Sequence, residues 1–143
     1  MASRPINTFL PSSRVFGDED ERMISALKIL AVDDEPSIAA CLSFVFERPR
    51  YELTSARDGN EALARLSAAP YDVVITDSEM PHASGVDLVR ALRERSFRGK
   101  IMVLSAHLTA EIRETYAQMK VDAILDKPFD IHELRNRVDL LVA

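Results

Sequence analysis

From Lys28 onward the chain repeats one pattern: a short apolar run without alternation, then a longer stretch whose apolar residues recur three and four positions apart. Residues 28–33 (KILAVD) predict a strand covered on both faces, because a strand with one wet face alternates apolar and polar residues. Residues 36–49 (PSIAACLSFVFERP) follow as a helix. Pro36 suits its first turn, where a missing N–H costs nothing, and Ile38, Cys41, Leu42 and Val45 share one face. Phe44 and Phe46 lie beyond that face and make the helix apolar nearly all round, a composition usually found on covered helices.

The alternation continues to the last residue. Residues 51–56 predict a second strand, and residues 58–69 a turn and short helix that stops before Pro70, with Ala62, Leu63 and Leu66 on its apolar side. Residues 71–77 (YDVVITD) predict the third strand, and residues 84–95 a helix that turns Val86, Val89 and Leu92 inward with Leu88 beside them. Residues 100–105 and 109–120 supply a fourth strand and helix. Residues 123–127 (AILDK) are a fifth strand, and residues 130–143 a last helix presenting Ile131, Leu134, Val138 and Leu141. Five strands alternating with five helices predict an α/β fold: a doubly wound parallel sheet with right-handed crossovers and helices on both faces. No internal repeat or low-complexity tract interrupts it.

Residues 1–27 differ. Pro5, Pro11, Ser12, Ser13 and the acidic stretch GDEDE at 17–21 describe a flexible or loosely docked extension, with the folded domain at residues 28–143. With 143 residues, 47% apolar and 29% charged, one soluble domain is expected. No apolar run approaches the ~20 residues of a membrane span, and the N-terminus has no secretory pattern. Cys41 stands alone, so no internal disulfide is expected, in keeping with a cytoplasmic location. A net charge of −5 without a basic stripe argues against a nucleic-acid partner.

Open parallel sheets place their site beyond the carboxyl ends of the strands. The residues there are Asp33, Asp34 and Glu35 after strand one, Asp77 after strand three, Ser105 after strand four, and Lys127 with Pro128 after strand five. Each has an ordinary reading: Asp34 as a helix cap, Asp77 and Ser105 as turn residues, Lys127 as a solvated charge. Together they describe carboxylates converging with one ammonium and one hydroxyl. Crowded carboxylates repel unless a cation neutralises them, and oxygen ligands with room for water suit Mg²⁺. Asp33, Asp34 and Asp77 thus form a candidate magnesium pocket. A carboxylate nucleophile beside Mg²⁺ and a lysine suits phosphoryl transfer, where charge stabilisation and positioning supply most of the catalysis.

The chain resembles the receiver domains of two-component response regulators. The matching motifs are VDDE at 32–35, ARDGNEAL at 56–63, DVVITDSEMP at 72–81, VLSA at 103–106 and DKPF at 126–129, and the likeness covers about residues 28–142. It implies the flavodoxin-like strand order 2-1-3-4-5. Asp77 becomes the phosphoacceptor, loaded by a histidine kinase or a histidine phosphotransfer protein. Asp33 and Asp34 hold Mg²⁺ with the backbone carbonyl of Glu79. Ser105 is the switch hydroxyl and Lys127 pairs with the phosphate. Pro81 and Gly85 match the loop after the acceptor, and Pro128 the proline that often follows the lysine through a cis bond.

Three departures carry information. Receivers usually have an aromatic three residues before the lysine; Ile124 stands there and has no ring to rotate. Lys120 replaces a glycine that commonly closes the fourth helix, where a left-handed ending is less comfortable without glycine. Glu79 and His107 occupy two variable positions flanking the phosphoryl site, and changing either is expected to alter loss of the phosphoryl group more than its gain. His82 and His132 have no metal-ligand spacing, and Cys41 reads as a small core residue.

By the same resemblance the output is an altered affinity for an unknown downstream protein, through Ser105 and the surface of the fourth helix, fifth strand and fifth helix. Beyond self-catalysed phosphorylation and slow hydrolysis, no enzyme is expected, nor a separate effector domain. The first helix is a candidate docking face for the phosphodonor; Phe9, Leu10, Val15 and Phe16 of the extension, or a second copy in a homodimer, compete for it. Two rivals remain: a receiver used as a phosphorylation-independent binding module or phosphate sink, and an aspartyl-phosphate phosphohydrolase. The latter carries Asp-x-Asp where this chain has adjacent acids, DDE.

Overall fold

A computed structural model describes residues 25–80 and 84–143. Ten elements alternate: β1 (Leu27–Val32), α1 (Pro36–Val45), β2 (Tyr51–Ala56), α2 (Gly59–Ala68), β3 (Val73–Asp77), α3 (Gly85–Glu94), β4 (Lys100–Ser105), α4 (Ala110–Gln118), β5 (Ala123–Asp126) and α5 (Ile131–Leu141). The strands form one parallel sheet in the order β2-β1-β3-β4-β5. β1 and β3 are therefore neighbours although the chain leaves them in opposite directions, which opens a crevice between their carboxyl ends.

The sheet divides the core in two. On one side Ile29, Ala31, Val73, Ile75, Met102 and Leu104 pack with Leu42 and Val45 of α1 and Leu134 and Val138 of α5. On the other, Leu30, Val32, Val74, Ile101 and Val103 pack with Ala62, Leu88, Val89, Leu92 and Tyr116. Every residue of β3 is buried, as an unalternating central strand requires.

Several expectations shift. β1 begins one residue earlier than expected: Leu27 is buried and paired with Tyr51, so it belongs to the sheet and not to the extension. Residues 1–24, with the expected covering role of Phe9, Leu10, Val15 and Phe16, lie outside the described residues. α1 stops at Val45, and Phe46 turns back into the core beside Tyr51, ring centroids 5.0 Å apart in a T-shape. Burying that ring contributes about 2–3 kcal/mol. Phe44 stays outside, 72% exposed, so α1 has one apolar side and one isolated phenylalanine. Ile131, expected inward, is 38% exposed at the first residue of α5, while Leu134 and Val138 of the same helix are buried in the core. Cys41 is half-buried against the core.

The helix starts follow capping chemistry. Asp58, Ser84, Thr109 and Asp130 accept from backbone N–H groups of α2, α3, α4 and α5. The first turn of α1 differs: its cap residue is Glu35, no side chain caps it, and Pro36 removes one donor. Asp34 is therefore not its cap. At the end of α4, Lys120 adopts φ 61 without being glycine. The Arg93 guanidinium donates to the carbonyls of Met119 at 2.8 Å and Lys120 at 2.7 Å, which satisfies the terminal acceptors there.

Candidate phosphoryl-transfer site

Strand pairing carries four separate segments to one edge of the sheet. Asp77 closes β3 and pairs with Leu104; Ser105 closes β4 and pairs with Asp126. Two bonds continue the ladder past the strand ends, from Ser78 N to the Leu104 carbonyl at 2.9 Å and from Lys127 N to the Ser105 carbonyl at 2.8 Å. Asp33 follows β1 directly, and its N–H donates to the Ala56 carbonyl at 3.0 Å. Backbone bonds thus place each chemistry-bearing residue before any side chain acts.

The side chains meet. Carboxylate oxygens of Asp33, Asp34 and Asp77 lie within 4.8 Å of one another. Asp33 and Asp77 are buried, Asp34 exposed. The Lys127 ammonium donates to Asp77 Oδ1 at 3.1 Å and to Asp33 Oδ2 at 3.3 Å, and stands 3.9 Å from Glu35. Asp33 Oδ1 accepts from Glu35 N at 2.9 Å, which fixes its rotamer.

Burial, followed by the negative charge of Asp33, pushes the Asp77 carboxyl above the usual carboxylate range, against the pull of Lys127 and of the Glu79 N–H. For Lys127, burial works to lower the ammonium, but bonds and charge from Asp77 and Asp33 outweigh it and hold it above the ordinary lysine value. One cation thus faces a cluster of carboxylates, a balance left negative at the open edge. Such a set fits a hard divalent ion: oxygen donors, close spacing, and one exposed member where water has access.

Gly85 begins α3 against this edge. A Cβ there would lie 2.6 Å from the Asp77 carbonyl and 2.7 Å from the Tyr116 hydroxyl, so only glycine permits the approach. Ser105 is 1% exposed; its hydroxyl donates to the Glu79 carboxylate and accepts from His107 N at 3.2 Å. His107 itself is exposed, as is Pro128, which follows Lys127 through a cis bond. Ile124 packs half-buried in the second core. His132 is exposed, and its N–H donates to Asp130. Pro81 and His82 lie outside the described residues.

One pair was not anticipated. Tyr116 is fully buried, and its hydroxyl shares a hydrogen bond of 2.7 Å with Ser78, the residue after Asp77. Burial is the main cause that raises its phenol above the ordinary value. A lone aromatic among the polar residues of α4 was the available signal, since such a ring has one direction in which to bury.

The fold itself is shared with known proteins. The model of the response regulator receiver domain matches residues 29–139. The alkaline phosphatase synthesis transcriptional regulatory protein PhoP of Bacillus subtilis is 30% identical over 115 residues, 80% of this chain and 48% of that protein. The sensor histidine kinase TmoS of Ectopseudomonas mendocina is 38% identical over 122 residues, 81% of this chain and 12% of that one. The chain spans about half or less of these curated relatives. Among solved structures, the chemotaxis protein CheY4 of Vibrio cholerae has a TM-score of 0.76 at 32% identity, covering 81% of this chain and 98% of its own. The receiver domain of the Francisella response regulator 1452 follows at 0.75 and 34%, covering 81% and 96%. The chain belongs to the response regulator receiver domain family of two-component signalling. No helix among the described residues is long and apolar enough to cross a membrane.

Proposed function

We propose that this chain is a phosphorylation-activated switch whose acceptor is Asp77. The observation that carries the reading is the Lys127 ammonium held between the buried carboxylates of Asp33 and Asp77 at the carboxyl edge of the sheet. An oxygen of Asp77 forms a bond to phosphorus while the bond from phosphorus to a histidine nitrogen of the donor breaks. The donor is a histidine kinase or a histidine phosphotransfer protein. Lys127, kept charged by its neighbours, stands where the added negative oxygens need a counter-charge.

Asp33, Asp34 and Asp77, with the backbone carbonyl of Glu79, would hold Mg²⁺. When bound, that ion neutralises the carboxylates and the charge developing on the transferring group. Asp33 is oriented for this by the Glu35 N–H, and Asp34 is left free by the uncapped start of α1. Output is a changed affinity for a downstream protein in the cytoplasm, not turnover of a metabolite. With Ile124 in place of a ring, the change passes through Ser105 and the segment leading into α4.

Incubation with acetyl phosphate and Mg²⁺ tests the reading. Intact mass should show one phosphoryl group on the wild type and none on Asp77→Asn. Equal labelling of the two would remove Asp77 as acceptor.

A further inference from the structure

Ser105 and Ala106 follow Leu104, the strand partner of Asp77, and offer two donors there; the first is firmly occupied and the second is engaged at the outer limit of a bond. The Ser105 hydroxyl gives its one hydrogen to Glu79 Oε2 at 2.5 Å, and Ala106 N donates to Glu79 Oε1 at 3.5 Å. The same hydroxyl accepts from His107 N, so its proton is spent and its orientation set from both sides. A carboxylate thereby takes from this corner of the site what a phosphoryl group on Asp77 would need from it.

We propose that Glu79 competes with the phosphoryl group: in the unphosphorylated chain its carboxylate stands in for phosphoryl oxygens on Ser105 and Ala106, and loading Asp77 expels it. The proposal rests on Asp77 being the acceptor. Two physical facts give the exchange its direction. One hydroxyl hydrogen cannot serve two acceptors at full strength, and a phosphoryl group adds negative charge beside Glu79, which then repels it. Glu79 is exposed, so its departure leads into water and no buried charge is stranded. The residue therefore sets how readily the site fills. This differs from the sequence expectation that Glu79 acts mainly on loss of the group, and it gives the Ser105 hydroxyl two discrete partners between which to move.

Beryllium trifluoride with Mg²⁺, a tetrahedral mimic of a phosphoryl group on a carboxylate, provides the probe, with Asp77→Ala as the control for the site. Glu79→Ala should bind it about tenfold more tightly than wild type, the size of one net hydrogen bond to a charged group. Glu79→Gln, which loses the charge but keeps an acceptor for Ser105, should fall between them. In a Ser105→Ala background most of the gain from Glu79→Ala should be lost, leaving the smaller share that Ala106 N and the charge of Glu79 account for. Before any ligand is added, the amide resonances of Ala106 and His107 should already move in Glu79→Ala. Unchanged affinity in Glu79→Ala overturns the proposal and leaves Asp77 as acceptor, provided Asp77→Ala abolishes binding. A gain of undiminished size in the Ser105→Ala background also overturns it, because loss of charge alone would then explain the whole effect. Absence of Asp77-dependent binding in every variant overturns both the proposal and the acceptor reading.

Discussion

Individual residues in this chain show how burial and partners decide what a side chain does. Asp77 and Lys127 are both taken out of water, yet both remain close to an opposite charge, so neither is left as an isolated buried ion. Tyr51 shows the same physics away from the site. Burial, then its bond to Asp139 at 2.8 Å, raises its phenol from 10.0 to about 12. The folded chain thus holds this proton more tightly than the unfolded chain. Its contribution to stability is complete below pH 10 and is lost as the pH rises toward about 12. Urea unfolding across that interval should show the wild type losing stability faster than Tyr51→Phe. Parallel slopes for the two proteins would contradict the assignment.

Among the elements, the ends carry more information than the middles. Four helices start on a side-chain cap, while α1 has none: Asp34 stands in the acidic cluster and Asp33 is held by the Glu35 N–H. Just past the C-cap of α4, Lys120 stands in the left-handed region, which costs an L-residue about 1–2 kcal/mol. Glycine has no such penalty but loses more freedom on folding, so Lys120→Gly should stabilise the chain by about 0.5–1 kcal/mol in denaturant unfolding. The side chain is exposed, so no packing is lost. A variant less stable than wild type would show that the freedom glycine loses on folding outweighs the relief of the left-handed backbone.

For the molecule as a whole, parallel pairing of β1, β3, β4 and β5 gathers residues as far apart in the chain as Asp33 and Lys127. If the acidic set binds Mg²⁺, the ion stabilises only the folded chain, since unfolding scatters its ligands. Thermal unfolding should then move upward with added Mg²⁺, by about 2.7 kcal/mol at a hundredfold excess over Kd. The combined Asp33→Asn, Asp34→Asn variant should not respond. An equal response in both would place the ion elsewhere. The sequence by itself determined the fold class, the identity of β2 and β4 to the residue, and which side chains stand at the strand ends, because period and strand-end position are local properties. Resemblance supplied the strand order. Tertiary structure alone decided that Phe46 turns in and Ile131 out, that Tyr116 reaches Ser78, and that Glu79 holds Ser105. Those contacts join residues with no fixed spacing along the chain. They depend on how far each helix is rotated and where it stops, which periodicity brackets to a face but not to a partner.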